Sequence, residues 1–159
     1  LSNRGAILTE LQNRFDLSRR HGRPLSVIMA DLDHFKAIND TLGHGAGDLV
    51  LGAFGEMVRQ NLRGTDLAGR IGGEEFLLVL PETELGGALQ LAERLRAVLE
   101  QRGASVIEGA RPVTCSLGVA ERRAEDREAG DLMGRADRAL YEAKHAGSNQ
   151  VKSTSSKRR

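Results

Sequence analysis

Four carboxylates stand where a chain can gather acids without unfolding. Asp31 and Asp33 close an apolar run, and Glu74 and Glu75 follow the glycine pair Gly72-Gly73. Acids at strand ends and tight turns can converge on a hard cation, and Mg²⁺ suits one or two carboxylates plus substrate phosphates. Two such ions could activate an attacking hydroxyl and steady a phosphoryl centre. Glu74-Glu75 alone also reads as a solvated turn. Gly72 and Gly73 favour the ligand reading, because missing side chains let a ligand approach the backbone.

A second group is Asn39, His44 and Asp48, with glycines at 43, 45 and 47 between them. In an unbroken helix, Asn39 and Asp48 would lie on opposite faces. A bend through the glycines would turn both toward one pocket. An Asp accepts from the N1–H and N2 amine of guanine, and an Asn can bond its O6 edge, the pattern that separates guanine from adenine. Helix capping by Asn39 and Asp48 is the alternative. Lys36, three residues after Asp33, and Lys144 near the end of the chain can act as point charges on phosphates, or stand on solvated faces.

These residues need elements to hold them. Apolar residues Ile7, Leu8, Leu11 and Phe15 predict an amphipathic helix over 3–20, stopped at Gly22 and Pro24. Leu25 to Leu32 reads as a buried strand, with Val27, Met29, Asp31 and Asp33 on one face. A short helix over 35–42, a bend over 43–47 and a helix over 48–62 follow. The runs 67–71 and 76–80 flank Gly72-Gly73 as a tight β-hairpin, where glycine tolerates positive φ. A helix over 84–101, a strand over 113–119, a helix over 132–145 and a short edge strand over 150–152 complete the order. Strands alternating with helices predict an α/β (α+β) layer fold, one sheet with helices packed on it.

A chain of 159 residues with 40% hydrophobic and 28% charged residues fits one globular domain, taken as residues 1–152. A formal net charge of +1 argues against a nucleic-acid binder. Residues 153–159, basic and serine-rich, read as a disordered tail. The single Cys115 excludes an intramolecular disulfide framework and a cysteine zinc cluster, and its apolar setting predicts an inert thiol. No apolar run reaches bilayer length and no signal peptide is visible, so a cytoplasmic domain without direct membrane contact is expected, inside a parent chain that can itself be membrane-anchored.

Read together, the segments Asp31-Leu32-Asp33-His34-Phe35-Lys36, Asn39-Asp40, Gly43-His44, Gly47-Asp48, Arg70 to Phe76, Ala136-Asp137, Ala139-Leu140-Tyr141 and Ala143-Lys144 resemble the GGDEF family of diguanylate cyclases. The resemblance implies a palm-like central sheet flanked by helices and condensation of two GTP into cyclic di-GMP with release of two pyrophosphates. It implies two Mg²⁺ (or Mn²⁺) per site on Asp31, the Leu32 carbonyl, Glu74 and Glu75. Glu74 would be the base for the 3′-hydroxyl, and Lys36 would stabilise the transition state. Asn39 and Asp48 would read guanine, with Phe35 and His44 lining the nucleotide site. Gly72 and Gly73 would make room for phosphates, whose charge Arg70 and Lys144 would neutralise. Arg63-Gly64-Thr65-Asp66 matches the family's Arg-x-x-Asp product-inhibition site, and Arg94 would be its second clamp, from a partner subunit.

By the same resemblance, catalysis needs a homodimer, and an upstream sensor or dimerisation domain belongs to the parent chain. One departure is visible. Where the family reads Gly-Arg-Asn after the lysine, this chain has Gly147-Ser148-Asn149. Losing that cation weakens GTP binding by about 1–3 kcal/mol. The rival reading is a receptor that binds GTP or cyclic di-GMP without turning it over. Retention of Asp31, Lys36, Glu74 and Glu75 speaks against it. An adenylyl cyclase-like enzyme is disfavoured by Asn39 and Asp48.

Overall fold

The computed structural model describes residues 1–106 and 113–154. Helix α1 (Arg4–His21) opens on Asn3, whose side chain accepts from the Ala6 N–H, and closes on Gly22 at φ 66°. A left-handed residue with no Cβ is the ordinary way to end a helix. Strand β1 (Leu25–Leu32) has the predicted limits. Helices α2 (Phe35–Leu42) and α3 (His44–Asn61) follow, then strands β2 (Leu67–Arg70) and β3 (Glu75–Pro81). Helix α4 (Leu85–Val106), strand β4 (Cys115–Glu121), helix α5 (Ala129–His145) and strand β5 (Val151–Ser153) complete the fold. Ser153, placed in the tail by the sequence reading, instead belongs to β5 and pairs with Val119. Residues 155–159 lie outside the described residues.

The five strands run in the order β2-β3-β1-β4-β5, with β1 antiparallel to both β3 and β4 at the centre. Only β5 pairs in parallel, with β4. One face of β1 sends Ile28, Ala30 and Leu32 into a core with Phe54 and Val58 of α3 and Ala92 and Leu95 of α4. The other sends Val27 and Met29 into a core with Ile7, Leu11 and Phe15 of α1 and Leu132, Ala136 and Leu140 of α5. Covering both faces is why β1 and β3 read as nearly continuous apolar runs rather than alternating ones. The expected palm-like layer is therefore present, and Asp31 belongs to the α1/α5 face.

The bend predicted over 43–47 is not there. Helix α3 begins at His44, and Gly43 alone breaks the chain, at φ 90° and ψ 166°. Gly45 and Gly47 are helical, because α3 buries Gly47, Val50, Phe54, Met57 and Val58, and that burial outweighs glycine's poor helix propensity. Cys115 is fully buried, and burial pushes its thiol well above the usual range, with the Asp33 charge adding to the shift. Inertness is the result. No described helix is long and apolar enough to cross a membrane.

Candidate active site

The sheet register builds the acidic site. Asp31 sits opposite Glu75 of β3 on one side and Ser116 of β4 on the other. The Leu32 N–H donates to the Glu74 carbonyl at 3.2 Å, which ties the hairpin tip to the end of β1. Residues 72–74 form the turn, and the N–H groups of Ile71 and Gly72 both donate to the Glu75 carbonyl, at 2.9 and 3.4 Å. Arg4 of α1 also holds the hairpin, through a 2.7 Å bond to the Ile71 carbonyl.

The glycines of this turn work differently from expectation. Neither Gly72 nor Gly73 has positive φ. A Cβ on Gly72 would stand 3.0 Å from Glu75 Oε1, so Gly72 gives space to a carboxylate of the site itself. Around Gly73 there is open space. Arg70, assigned by resemblance to phosphate, is turned onto the hairpin. Its Nε donates to the carbonyls of Gly72 and Gly73 at 3.1 and 3.0 Å, and Nη2 reaches the Gly73 carbonyl at 2.6 Å.

Lys144 lies between the two aspartates, 3.2 Å from Asp31 Oδ2 and 3.8 Å from Asp33 Oδ1. Asp31 nevertheless keeps an unusual carboxyl. Burial raises its pKa from 3.8 to about 6; Lys144 opposes the rise, and the charges of Glu74 and Glu75 add to it. Its Oδ1 is buried without a hydrogen-bond partner. A dehydrated carboxylate oxygen beside two more acids asks for a cation.

Among the described residues no three His, Cys, Asp or Glu side chains are arranged as a cage. Such a one-sided donor set fits Mg²⁺, which keeps waters and takes substrate phosphates as ligands, and would not suit a closed Ca²⁺ or zinc site.

The raised Asp31 value has a sign that can be measured in the metal-free protein. A folded-state pKa above the unfolded one favours the protonated fold, so Asp31's contribution to stability is full below about pH 4 and lost as pH rises to about 6. The difference in urea-unfolding free energy between wild type and Asp31→Asn should therefore slope across this window and flatten above it. A flat difference throughout would show that Asp31 is not desolvated.

Asp33 does something else. It is 3% exposed and accepts from Thr114 Oγ1 at 2.8 Å, Ser116 Oγ at 2.7 Å and the Asn149 N–H at 3.0 Å. It is a fastener between β1, β4 and the turn after α5. That turn runs through Gly147, Ser148 and Asn149, all at positive φ. The Asn149 side chain accepts from Arg96 at 2.9 Å and donates to Glu100 at 2.7 Å on α4. No sequence signal pointed to the Asn149–Arg96 and Asn149–Asp33 bonds, whose partners are 53 and 116 residues apart.

Lys36 is exposed at the start of α2, and no ion pair engages it among the described residues. Phe35, expected by resemblance to line the nucleotide site, is 8% exposed and packs in the core. His44 is exposed at the first position of α3. Asp48 lines a cleft of about 500 Å³ with Leu51, Gly52, Arg70 and Phe76. Asn39 is half-buried, and its Oδ1 lies against Gly47, the residue before Asp48. Asn39 thus packs across the α2–α3 junction against the residue that precedes Asp48.

A separate cleft of about 350 Å³ lies at the far end of β3, about 20 Å from the hairpin at the usual strand rise. Arg63, Asp66, Thr83, Gln90 and Arg94 line it. The Arg63 N–H donates to Asp66 Oδ2 at 3.0 Å, and its guanidinium reaches Asp66 at 3.4 Å and Thr83 Oγ1. Resemblance implied Arg94 as a partner's contribution; here it lines the same cleft as Arg63 within one chain. It is exposed and makes no ion pair among the described residues.

The family model described as "Diguanylate cyclase, GGDEF domain" matches residues 1–150. The chain belongs to the GGDEF family. Response regulator PleD of Caulobacter vibrioides is 39% identical over 95% of this chain, and diguanylate cyclase DgcP of Pseudomonas aeruginosa 41% over 95%. The chain spans only 34% and 22% of those proteins. Among solved structures, the active GGEEF domain of a diguanylate cyclase from Vibrio cholerae superposes with a TM-score of 0.92 at 33% identity, covering 96% of this chain and 97% of that one. The GGDEF domain of DgcB from Caulobacter crescentus in complex with c-di-GMP gives 0.91 at 32% identity, covering 96% and 91%. The Gly-Gly-Glu-Glu-Phe hairpin of this GGDEF domain thus has the same signature as a neighbour described as active.

Proposed function

We propose that this GGDEF domain condenses two GTP into cyclic di-GMP and two pyrophosphates, each subunit of a homodimer presenting one GTP. The observation that carries the proposal is the register of Asp31 against Glu75, with the Glu74 carbonyl bonded to Leu32 and Asp31 Oδ1 left without a partner. Asp31, the Leu32 carbonyl, Glu74 and Glu75 would hold Mg²⁺ or Mn²⁺, two per site. When bound, the metal lowers the pKa of the attacking hydroxyl and neutralises charge on the phosphates.

The chain's own residues do the rest. Asn39 and Asp48 orient guanine, and Asp48 lies at the cleft that would admit the base. Glu74 takes the proton of the 3′-hydroxyl. The new bond joins that oxygen to the α-phosphorus of the facing GTP, the bond from the α-phosphorus to the bridging oxygen breaks, and pyrophosphate leaves; a second round closes the ring. Lys36, three residues after Asp33 and without an ion pair among the described residues, stabilises the charge that develops on the phosphoryl oxygens, commonly the largest catalytic contribution in such chemistry. Lys144, now 3.2 Å from Asp31, would be free to pair with the phosphates if a metal took over that carboxylate.

The test is an incubation with GTP and Mg²⁺ that resolves linear from cyclic product over a range of protein concentration. Cyclic di-GMP should form at a rate rising faster than linearly with protein. Demonstrated GTP binding without product at high protein concentration would leave the receptor reading in its place.

The Arg63, Asp66 and Arg94 cleft is proposed as the product site. A planar guanidinium pair with a carboxylate suits the phosphates and guanine edges of cyclic di-GMP. Arg63→Ala should raise the concentration for half-inhibition by product about tenfold, the worth of one charge-assisted contact, while leaving the initial rate unchanged. Unaltered inhibition would reduce the motif to a surface turn.

A further inference from the structure

We infer that Gly47 is a specificity-determining residue: its missing side chain is the seat of the Asn39 carboxamide, and that seat makes Asn39 a donor to the purine base. The inference rests on the guanine reading proposed above. A Cβ built on Gly47 would stand 1.9 Å from Asn39 Oδ1, 2.9 Å from its Cγ and 3.1 Å from Phe35 Cζ. No side chain fits there while Asn39 stays in place. Gly47 is buried and its φ is not positive, so neither exposure nor backbone conformation calls for glycine.

The junction leaves Asn39 little freedom. The Gly43 N–H donates to the Asn39 carbonyl at 2.9 Å, closing α2, and the Gly47 N–H reaches the Gly43 carbonyl at 3.4 Å, opening α3. Gly43 thus folds the first turn of α3 back over Asn39. Asn39 Oδ1 is buried there without an N–H or O–H partner. The Gly47 Cα–H lies along the direction a Cβ would take, so it points at this oxygen and supplies a weak C–H···O contact. With Oδ1 committed inward, Nδ2 is the end of the carboxamide left for a ligand. A donor at that point matches the O6 and N7 acceptors of guanine; adenine would set its 6-amine against it. Asp48, the residue after Gly47, would face the N1–H and N2 edge, so Asn39 of α2 and Asp48 of α3 divide the base between them.

Gly45 is the built-in control. It lies in the same helical turn with nothing within 4 Å of its Cβ position. The test measures binding of 3′-deoxy nucleoside triphosphates, which cannot condense. Three bases are used: guanine; hypoxanthine, which lacks only the N2 amine; and 2,6-diaminopurine, which carries an amine at position 6. Gly47→Ala should weaken guanine-nucleotide binding about tenfold and shrink the preference over diaminopurine, the value of one base-edge contact. Its preference for guanine over hypoxanthine, set by Asp48, should persist. Gly45→Ala should bind like wild type. Wild-type affinity and preference in Gly47→Ala, or equal losses in both variants, would overturn the inference.

Urea unfolding supplies an arm that does not depend on nucleotide. Gly47→Ala should lower stability, and adding Asn39→Ala should restore it, because the new methyl group then has its space. Absence of restoration also overturns the inference. A wild-type protein with no preference among the three bases would sink the guanine reading itself, while the stability cycle would still report on the Gly47–Asn39 contact.

Discussion

Glu74→Gln should abolish cyclic di-GMP synthesis, by about 10³-fold or more, and leave the melting temperature close to that of wild type. The side chain is half-buried and makes no hydrogen bond or ion pair among the described residues, so the folded state loses no partner. The Glu74 contribution to the fold runs through its backbone carbonyl to Leu32, which the substitution keeps. An amide of the same shape cannot take a proton from a hydroxyl, and it is a poorer ligand for a hard cation. General-base catalysis alone is worth about 10²–10⁴-fold, and loss of a charged metal ligand adds to it. Chromatography of GTP incubations, beside a thermal melt, checks both halves. Retained synthesis would transfer the base role to Glu75; a large drop in melting temperature would reveal a structural role for the Glu74 carboxylate.

Gly118→Ala should cost about 3 kcal/mol or more of stability, at the upper end for overpacked sites. Gly118 lies in β4 where α5 crosses the sheet. A Cβ there would stand 2.1 Å from the Ala136 carbonyl oxygen, 2.3 Å from the Leu140 nitrogen and 2.9 Å from the Ala139 carbonyl carbon. These are backbone atoms of a helix and cannot rotate aside. Helix α5 would have to lift, pulling Leu132, Ala136 and Leu140 away from Val27 and Met29. Lys144 rides on the same helix and would leave Asp31, so nucleotide turnover should fall with stability. Gly134, also on α5, has nothing within 4 Å of its Cβ position. Gly134→Ala should raise stability by about 0.5–1 kcal/mol through helix propensity. Urea denaturation of the two variants decides the matter; similar shifts in both would remove the close-contact argument.

The acidic site and the product cleft differ in how they are held. Asp31 and the hairpin are placed by main-chain register between β1 and β3, so single side-chain changes there alter chemistry before they alter architecture. Asp33 and Asn149 are placed by side-chain bonds to main chain and to each other's elements, and changes there would loosen the junction of β1, β4 and α4. Arg63 and Arg94 come from different parts of the fold, the loop before β2 and the middle of α4. The cleft between them exists only while α4 lies against the sheet.

What the chain declares by itself is the set of elements and the chemistry of the residues at their ends. The apolar run of β1, the amphipathic periods of α1, α4 and α5, and the acids on either side of Leu32 and after Gly73 all depend on neighbours a few positions away. Their limits are accordingly correct to within a few residues. Where local preference and packing disagreed, packing won. Gly45 and Gly47 are helical because α3 has a buried face, and Gly72 needs no positive φ because its role is to clear Glu75.

Only the tertiary structure decided which acids meet and which cations are already engaged. Asp31 is oriented by a strand pairing that spans 44 residues, Asp33 is held by Thr114 and Ser116, and Lys144 and Arg70 rest on site atoms rather than standing free. The strand order β2-β3-β1-β4-β5 places residues distant in sequence side by side, and local periodicity carries no information about that order. The Gly47–Asn39 contact follows the same logic at short range. Eight residues separate the pair, yet the turn at Gly43, not their spacing, brings one against the other.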